Sequence, residues 1–154
     1  MALGDLVSIN AIFPAVKANS KKQLLQLLAE KAAGLTGIPE REIFDTILQR
    51  ERLGSTGAGN GLAIPHGKLR SIGKITGLFA RLENPVDFEA IDDQPVDLVF
   101  LLLAPEGAGA DHLKALSRIA RVMRDPETVA KIRGAADVEA IHALLSGTPA
   151  SNAA

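Results

Sequence analysis

A run of apolar residues from 98 to 104 constrains the fold of this chain more than any other feature of its sequence. The run reads Leu-Val-Phe-Leu-Leu-Leu-Ala and follows Asp97. It is far shorter than the roughly 20 residues that a membrane-spanning helix needs. A short strand that is apolar at every position is typical of a sheet with both faces covered. The sequence therefore predicts a buried strand at 97–103.

Local start and stop signals predict the helices on either side of this strand. Ser20 and Gln23 have the spacing of a capping box, and the helix that they begin ends at Thr36-Gly37. Pro39 suits the first position of the next helix. Three more helices are predicted to begin near Asp111, at Asp125-Pro126 and at Asp137, the first with Leu113, Leu116, Ala120 and Met123 on its inner face.

The order of the elements indicates the fold class. Further strands are predicted at 62–64, 75–82 and 86–88, and the glycine-rich segment 54–61 is predicted to be a loop. Helices, then strands, then helices indicate an α/β (α+β) chain, a single domain with a short mixed sheet flanked by helices. We expect this domain to occupy residues 1–147 and residues 148–154 to form a disordered tail.

The composition excludes several functions. Lys and Arg number 17 and Asp and Glu number 18, and the net charge of −1 argues against non-specific binding to nucleic acid or anionic membranes. The absence of Cys excludes disulfides, thiolate nucleophiles and cysteine zinc sites. The three His residues lack the spacing of metal ligands, so we expect no metal. No signal peptide is visible at the N-terminus, and we expect a cytoplasmic protein.

The segment from 50 to 68 carries the chemistry. Its glycines can direct backbone N–H groups toward one point, Ser55 and Thr56 add hydroxyl donors, and Arg50 and Lys68 add positive charge. A neutral imidazole such as that of His66 is a good nucleophile, and beside an anion site it favours acceptance of a phosphoryl group. From the residues alone, an exposed turn with an incidental histidine explains the segment equally well.

A longer pattern resembles a known family. The sequence E-x6-A-G-N-G-L-A-I-P-H-G, from Glu51 to Gly67, is similar to the active-site signature of the enzyme IIA proteins of the mannitol/fructose class, from the bacterial phosphotransferase system. Its nitrogen-related branch is the most similar, and the resemblance continues through residues 88–98 and 112–117. Ala58 departs from the signature, which has a larger aliphatic residue there. The family implies a mixed sheet of about five strands.

The resemblance also implies roles for individual residues. His66 would be phosphorylated, on Nε2, without a cofactor; His112 would be the second active-site histidine, and Arg50 would line the same pocket. We assign phosphate contacts to Ser55, Thr56 and Gly57. Asp111 is interpreted as a helix cap, Lys68 as a solvated charge and His142 as a structural or surface residue.

The implied function is that of a phosphohistidine carrier. Its donor would be an HPr-like phosphocarrier, which needs an apolar surface around His66 that excludes water. Its phosphorylation state would regulate target proteins linked to nitrogen and potassium homeostasis. The alternative is a sugar-specific enzyme IIA that passes phosphate to a separate IIB/IIC permease. A binding module without phosphorylation and a hydrolase that uses both histidines are further hypotheses.

Overall fold

The computed structural model describes residues 3–147, so the predicted tail at 148–154 lies outside the described residues. The helices are α1 (Leu3–Leu6), α2 (Lys21–Thr36), α3 (Glu40–Leu53), α4 (Gly109–Met123), α5 (Pro126–Gly134) and α6 (Val138–Ser146). The strands are β1 (Ile12–Val16), β2 (Gly57–Gly59), β3 (Leu62–Ala63), β4 (His66–Leu69), β5 (Thr76–Val86) and β6 (Val96–Pro105). Short 3₁₀ turns occupy Ile9–Ala11 and Glu106–Ala108.

The strands form one mixed sheet in the order β1-β5-β6-β3-β2, with β4 also paired to β6. The pairs β1–β5, β3–β6 and β4–β6 are parallel, whereas β5–β6 and β2–β3 are antiparallel. Leu62 lies opposite Leu98 and His66 opposite Leu102, so β3 and β4 follow β6 in one register. They are one strand interrupted before Pro65, which confirms the predicted mixed sheet of about five strands.

Strand β6 is buried on both faces, as its sequence predicts. Leu98, Phe100 and Leu102 pack in a hydrophobic cluster with α4, α5 and α6. The alternate residues, from Val99 to Leu103, pack in a second cluster with α2 and α3. Successive side chains of a strand point to opposite faces, so each helical layer needs apolar residues from every second position. The run of apolar residues thus fixes a sheet between two layers of helices.

The predicted helix ends are confirmed where a side chain or a glycine marks them. Ser20 Oγ accepts a hydrogen bond from the Gln23 backbone N–H at 3.1 Å, and Asp125 and Asp137 cap α5 and α6 in the same way. Gly37 ends α2 in the left-handed conformation, with φ of 77°. These contacts join residues close together in sequence, and local sequence therefore predicts them.

Three strand predictions need correction. The segment 86–88 is not a separate strand, because β5 continues without a break from Thr76 to Val86. The predicted loop contains a short strand, β2, and the strand predicted at 62–64 does not stop at Pro65-His66-Gly67 but resumes as β4. Strand β1 was not predicted. It includes Pro14, which lacks the N–H of a regular strand residue.

The buried face of α4 also differs from the prediction. The side chains that it buries are those of His112, Ala115, Ile119 and Met123. Leu113, predicted to be inward, is 67% exposed. The helix begins two residues before Asp111, so this aspartate lies in the first turn and does not cap the helix. The inner face is shifted because a polar residue, His112, occupies one of its positions.

One arginine joins elements that are far apart in the chain. Arg81 on β5 donates from Nε to the Pro14 carbonyl at 2.9 Å. Its Nη1 donates to the carbonyls of Ile132 and Ala135, both at 2.8 Å. The guanidinium therefore binds carbonyl groups at the end of α5, where the Ile132 carbonyl has one other donor, the Ala135 N–H at 3.3 Å. No helix within residues 3–147 is both long enough and apolar enough to cross a bilayer.

Candidate active site

The interrupted strand β3–β4 positions His66. Its partner strand is β6, and the alternation along β4 sends neighbouring residues to opposite faces of the sheet. Gly67 faces α3, where a β-carbon at this position would lie 2.6 Å from Thr46 Cγ2. His66 faces α4, and its ring centroid lies 5.4 Å from that of His112. The sheet therefore brings together two histidines that are far apart in sequence.

Two hydrogen bonds define the tautomer of His66. Its Nδ1 lies 2.8 Å from the Ile64 carbonyl oxygen, which can only accept, so Nδ1 carries the proton. Its Nε2 accepts a hydrogen bond from Arg50 Nε at 3.2 Å, so Nε2 carries the lone pair. Arg50 is in turn held by a 2.8 Å hydrogen bond from Nη1 to the Gly54 carbonyl. Nε2 is therefore the ring nitrogen whose lone pair could act as a nucleophile.

The surroundings of His66 keep the ring neutral. Burial lowers the pKa of His66 below its ordinary value, and the positive charge of Arg50 lowers it further, against the opposing effects of the Ile64 carbonyl and Glu51. A buried imidazolium loses hydration, and a cation next to it raises the free energy of the charged form. His66 is thus unprotonated on Nε2 at neutral pH, which nucleophilic attack requires.

His112 is more deeply buried than His66, with 6% of its surface exposed. Burial lowers its pKa, and the neighbouring His66 and Lys68 lower it further. Within residues 3–147, its buried Nδ1 has no hydrogen-bond partner. A buried N–H without an acceptor costs more than a lone pair without a donor, which favours the tautomer with the proton on Nε2.

Both histidines line one open cavity of about 380 Å³ between α3, β4 and the start of α4. Arg50 and Lys68 line it as well, which places all three residues of the predicted catalytic set in one cavity. Its lining includes Leu53, which is 85% exposed, and Leu113 beside His112 is also exposed. These two exposed leucines give the neighbourhood of the cavity some apolar surface.

The residues predicted to contact phosphate lie in the next segment of the chain, 54–57. Ser55 Oγ donates to the Phe88 carbonyl at 2.8 Å and accepts from Gly57 N at 3.0 Å. Thr56 donates to the Glu51 carboxylate from both its backbone N–H and its hydroxyl. The amides of Gly54, Thr56 and Gly57 therefore donate to three different acceptors. The phosphate contacts of Ser55, Thr56 and Gly57 stay a prediction for the phosphorylated protein.

Sequence reasoning assigned no role to Glu51, which is only 6% exposed. Its carboxylate lies 3.0 Å from Lys21 Nζ and accepts the two Thr56 hydrogen bonds. The signature begins with this glutamate, and its place there is the one sequence feature that could have indicated a role.

His142 lies on α6, away from the cavity, with Nε2 3.4 Å from the Gly4 carbonyl. Among residues 3–147, no three His, Asp or Glu side chains cluster as metal ligands.

Comparison with known proteins gives consistent results. Residues 5–147 match the family model described as phosphoenolpyruvate-dependent sugar phosphotransferase system, EIIA 2. A nitrogen regulatory protein of Bradyrhizobium diazoefficiens is 61% identical over 153 residues, which are 99% of this chain and 100% of the relative. A fructose-specific EIIA component of Haloferax volcanii is 32% identical over 128 residues, 82% of this chain and 83% of its own.

A solved structure is similar over nearly the whole chain. The crystal structure of nitrogen regulatory protein IIA-Ntr from Neisseria meningitidis superimposes with a TM-score of 0.89 at 33% identity. The match covers 93% of this chain and 98% of the other. The fold described above is therefore that of a known enzyme IIA structure.

Proposed function

This chain belongs to the EIIA 2 family of the phosphoenolpyruvate-dependent sugar phosphotransferase system, and from that membership we propose that it is a phosphohistidine carrier with His66 as the accepting residue. The observation that carries the proposal is the pair of hydrogen bonds on His66. Ile64 holds the proton on Nδ1 and Arg50 meets the lone pair on Nε2. The ring is thereby oriented for attack through Nε2.

The transfer needs no proton movement on His66. The Nε2 lone pair attacks the phosphorus atom, the new N–P bond forms, and the bond from phosphorus to the donor nitrogen breaks. The donor, an HPr-like protein whose ring is a phosphorylated imidazolium, leaves as neutral imidazole. His66 becomes the phosphorylated imidazolium, and its Nδ1–H stays on the Ile64 carbonyl. Charge and protons therefore balance between the two rings.

Arg50 and His112 are the residues that we propose stabilise the transferred group. The guanidinium of Arg50 leaves the Nε2 lone pair as phosphorus arrives, and its donors then face the phosphoryl oxygens. His112 presents an Nε2–H from the wall of the same cavity. Donors fixed before the reaction stabilise developing charge without reorganisation. The exposed Leu53 and Leu113 form the apolar surface on which the donor protein docks.

We propose that the biological output is regulatory and takes place in the cytoplasm. The relatives of Bradyrhizobium and Neisseria are named nitrogen regulatory proteins, and both match nearly the full chain. Phosphorylation adds about −1.5 to −2 charge next to the apolar surface, which is a large local change. Targets linked to nitrogen or potassium homeostasis would bind one phosphorylation state better than the other.

The test is phosphorylation by a purified, phosphorylated HPr-type carrier, measured by intact-mass spectrometry at alkaline pH. We expect one acid-labile phosphoryl group on the wild type and none on His66→Ala. We expect His112→Ala to react about a hundredfold more slowly, whereas His142→Ala, a histidine outside the cavity, reacts at the wild-type rate. Absence of an adduct on the wild type, with the carrier active on another acceptor, would refute the proposal.

A sugar-specific enzyme IIA is the second candidate, because the Haloferax relative is named a fructose-specific component. The two functions share the first transfer and differ in the second. The phosphorylated protein is therefore mixed with a purified fructose-type IIB domain. Rapid loss of phosphate from His66 to this domain would favour the sugar-specific function, and retention favours the regulator.

A further inference from the structure

Glu51 lies in the last turn of α3, directly after Arg50, and its carboxylate is buried. It accepts hydrogen bonds from the Thr56 backbone N–H at 3.0 Å and from the Thr56 hydroxyl. The Lys21 ammonium completes its surroundings at 3.0 Å. A buried carboxylate must have partners of this kind, because an unpaired charge inside a protein is costly. These three contacts leave the carboxylate little freedom to move.

Lys21 anchors the carboxylate to other parts of the fold. Only 16% of its side chain is exposed, and it begins α2. Its Nζ lies 4.6 Å from the centroid of the Phe88 ring and 3.3 Å from Glu89 Oε1. The cation thus contacts an aromatic face and two carboxylates at once. Glu51 is therefore fixed relative to α2 and to the segment after β5.

Gly54, two residues before Thr56, lies between two fixed points: the backbone carbonyl of Glu51 and Thr56, which the Glu51 carboxylate holds. The Gly54 N–H donates to the Glu51 carbonyl at 3.1 Å, and its φ of 155° lies in a region that favours glycine. The Gly54 carbonyl accepts from Arg50 Nη1, and the same guanidinium donates to His66 Nε2. Movement of the segment 54–56 would therefore move the acceptor that orients Arg50.

We propose that Glu51 is a positioning residue for phosphoryl transfer: by holding Thr56 it fixes the Gly54 carbonyl, which holds the Arg50 guanidinium against His66 Nε2. The inference deepens the proposed function, since it takes His66 as the accepting residue. Glu51 makes no hydrogen bond to His66, so its positioning effect is transmitted through Arg50, separately from the direct effect of its charge on the pKa of His66. If Glu51 served stability alone, weakening its contacts with Thr56 would leave the contact between Arg50 and His66 unchanged.

The first test uses the unphosphorylated protein, so it does not depend on transfer. NMR of the ring nitrogens of His66 and of the Arg50 Nε–H is recorded for wild type, Thr56→Val and Thr56→Ser. We expect Thr56→Val to raise the pKa of His66 and to broaden the Nε–H signal, because the nearby positive charge moves away. Thr56→Ser keeps the hydroxyl and should resemble the wild type. Thr36→Val, which removes a comparable hydroxyl bonded to the Ala32 carbonyl, is the matched control.

Glu51→Gln gives an independent test through the sign of the change. The negative charge of Glu51 raises the pKa of His66 directly, so its loss alone would lower that pKa. Release of Arg50 would instead raise the pKa of His66, because a nearby positive charge moves away. We expect loss of the Arg50 Nε–H signal in this variant too. In an Arg50→Met background, Thr56→Val should have no further effect on His66, because the residue through which it acts is missing.

Transfer kinetics complete the test. We expect Thr56→Val and Glu51→Gln to accept phosphate about one to two orders of magnitude more slowly than the wild type. A folded Thr56→Val protein with unchanged His66 and Arg50 signals would overturn the positioning role, even if His66 is phosphorylated. Conversely, a wild type that accepts no phosphate refutes the proposed function alone, because the NMR result stands by itself.

Discussion

Gly67 and Thr46 lie where α3 packs across β4, and substituting both tests how tightly this contact sets the site. A β-carbon at Gly67 would lie 2.6 Å from Thr46 Cγ2, whereas every other neighbouring atom would be 3.8 Å away or farther. Carbon atoms in contact prefer about 3.5–4.0 Å. Gly67→Ala therefore requires Thr46 Cγ2 to move by about 1 Å, through a shift of α3 against β4 or a rotation of the Thr46 side chain that breaks its hydrogen bond to the Glu42 carbonyl.

The magnitude follows from this single overlap. Forcing an extra methyl group into a well-packed interior costs about 1–3 kcal/mol, and this is an upper limit here because Gly67 and Thr46 are only half-buried and line the open cavity. For a chain of this length, that loss lowers the melting temperature by about 3–9 °C. Thr46→Ser removes the methyl group responsible and keeps the hydroxyl that donates to the Glu42 carbonyl at 2.8 Å. In the Thr46→Ser background, Gly67→Ala should therefore cost less than about 0.5 kcal/mol.

The assay is urea unfolding of the wild type, both single variants and the double variant, together with the rate of His66 phosphorylation. We expect slower phosphorylation in Gly67→Ala, because displacement of α3 moves Arg50 away from His66, and recovery in the double variant. Gly73→Ala, at a position with no atom within 4 Å of the added carbon, should be neutral. Equal costs of Gly67→Ala in both backgrounds would refute the steric argument.

The remaining predictions concern pH and a hydrogen-bonded arginine. Burial lowers the pKa of His66 and of His112, so the unfolded chain binds more protons than the folded one below about pH 6.5. The free energy of unfolding should therefore be highest above this pH and should fall as the pH decreases toward about 5.5. When both histidines are replaced by Gln, the fall should be less steep. An equally steep fall in that double variant would show that other groups cause the pH dependence. Arg81→Met should lower the free energy of unfolding by about 1–3 kcal/mol, because the Pro14 and Ala135 carbonyls lose the Arg81 donor and the Ile132 carbonyl keeps only the bond from the Ala135 N–H. Arg81→Lys should recover only part of this loss, since one ammonium cannot reproduce the guanidinium geometry. An unchanged free energy of unfolding in Arg81→Met would contradict the stabilising role of these hydrogen bonds.

The elements that the sequence predicts are those encoded by neighbours in the chain. Asp125 and Asp137 accept hydrogen bonds from residues two and three positions ahead, so short windows of sequence contain the whole interaction. Strands β1 and β4 depend instead on distant partners, since Ile12 pairs with Phe79 and His66 with Leu102. Local patterns give little indication of such pairs, and the Pro65-His66-Gly67 sequence predicts the end of the strand at 62–64 rather than its continuation as β4.

The candidate site likewise contains residues that the sequence predicts and residues that only the tertiary structure reveals. The motif resemblance named His66, His112 and Arg50, and these side chains line one cavity. The apolar spacing of α4 nevertheless misplaced its inner face, since the buried polar side chain of His112 was not counted as inward. Glu51 was missed because a carboxylate between Arg50 and Arg52 is typical of an exposed helix end. Only the tertiary contact with Lys21 reveals its burial.

The interruption of the strand at Pro65 has a consequence for molecular encounters. The Pro65 carbonyl still accepts a hydrogen bond from Leu102 N at 3.0 Å, so the backbone beside His66 is held on both sides of the break. Under the proposed function, a donor protein that docks at His66 orders no loop there, so association loses little conformational entropy at this point. Brief, weak collisions can therefore be productive, and a small contact area is enough for a partner that must leave again quickly.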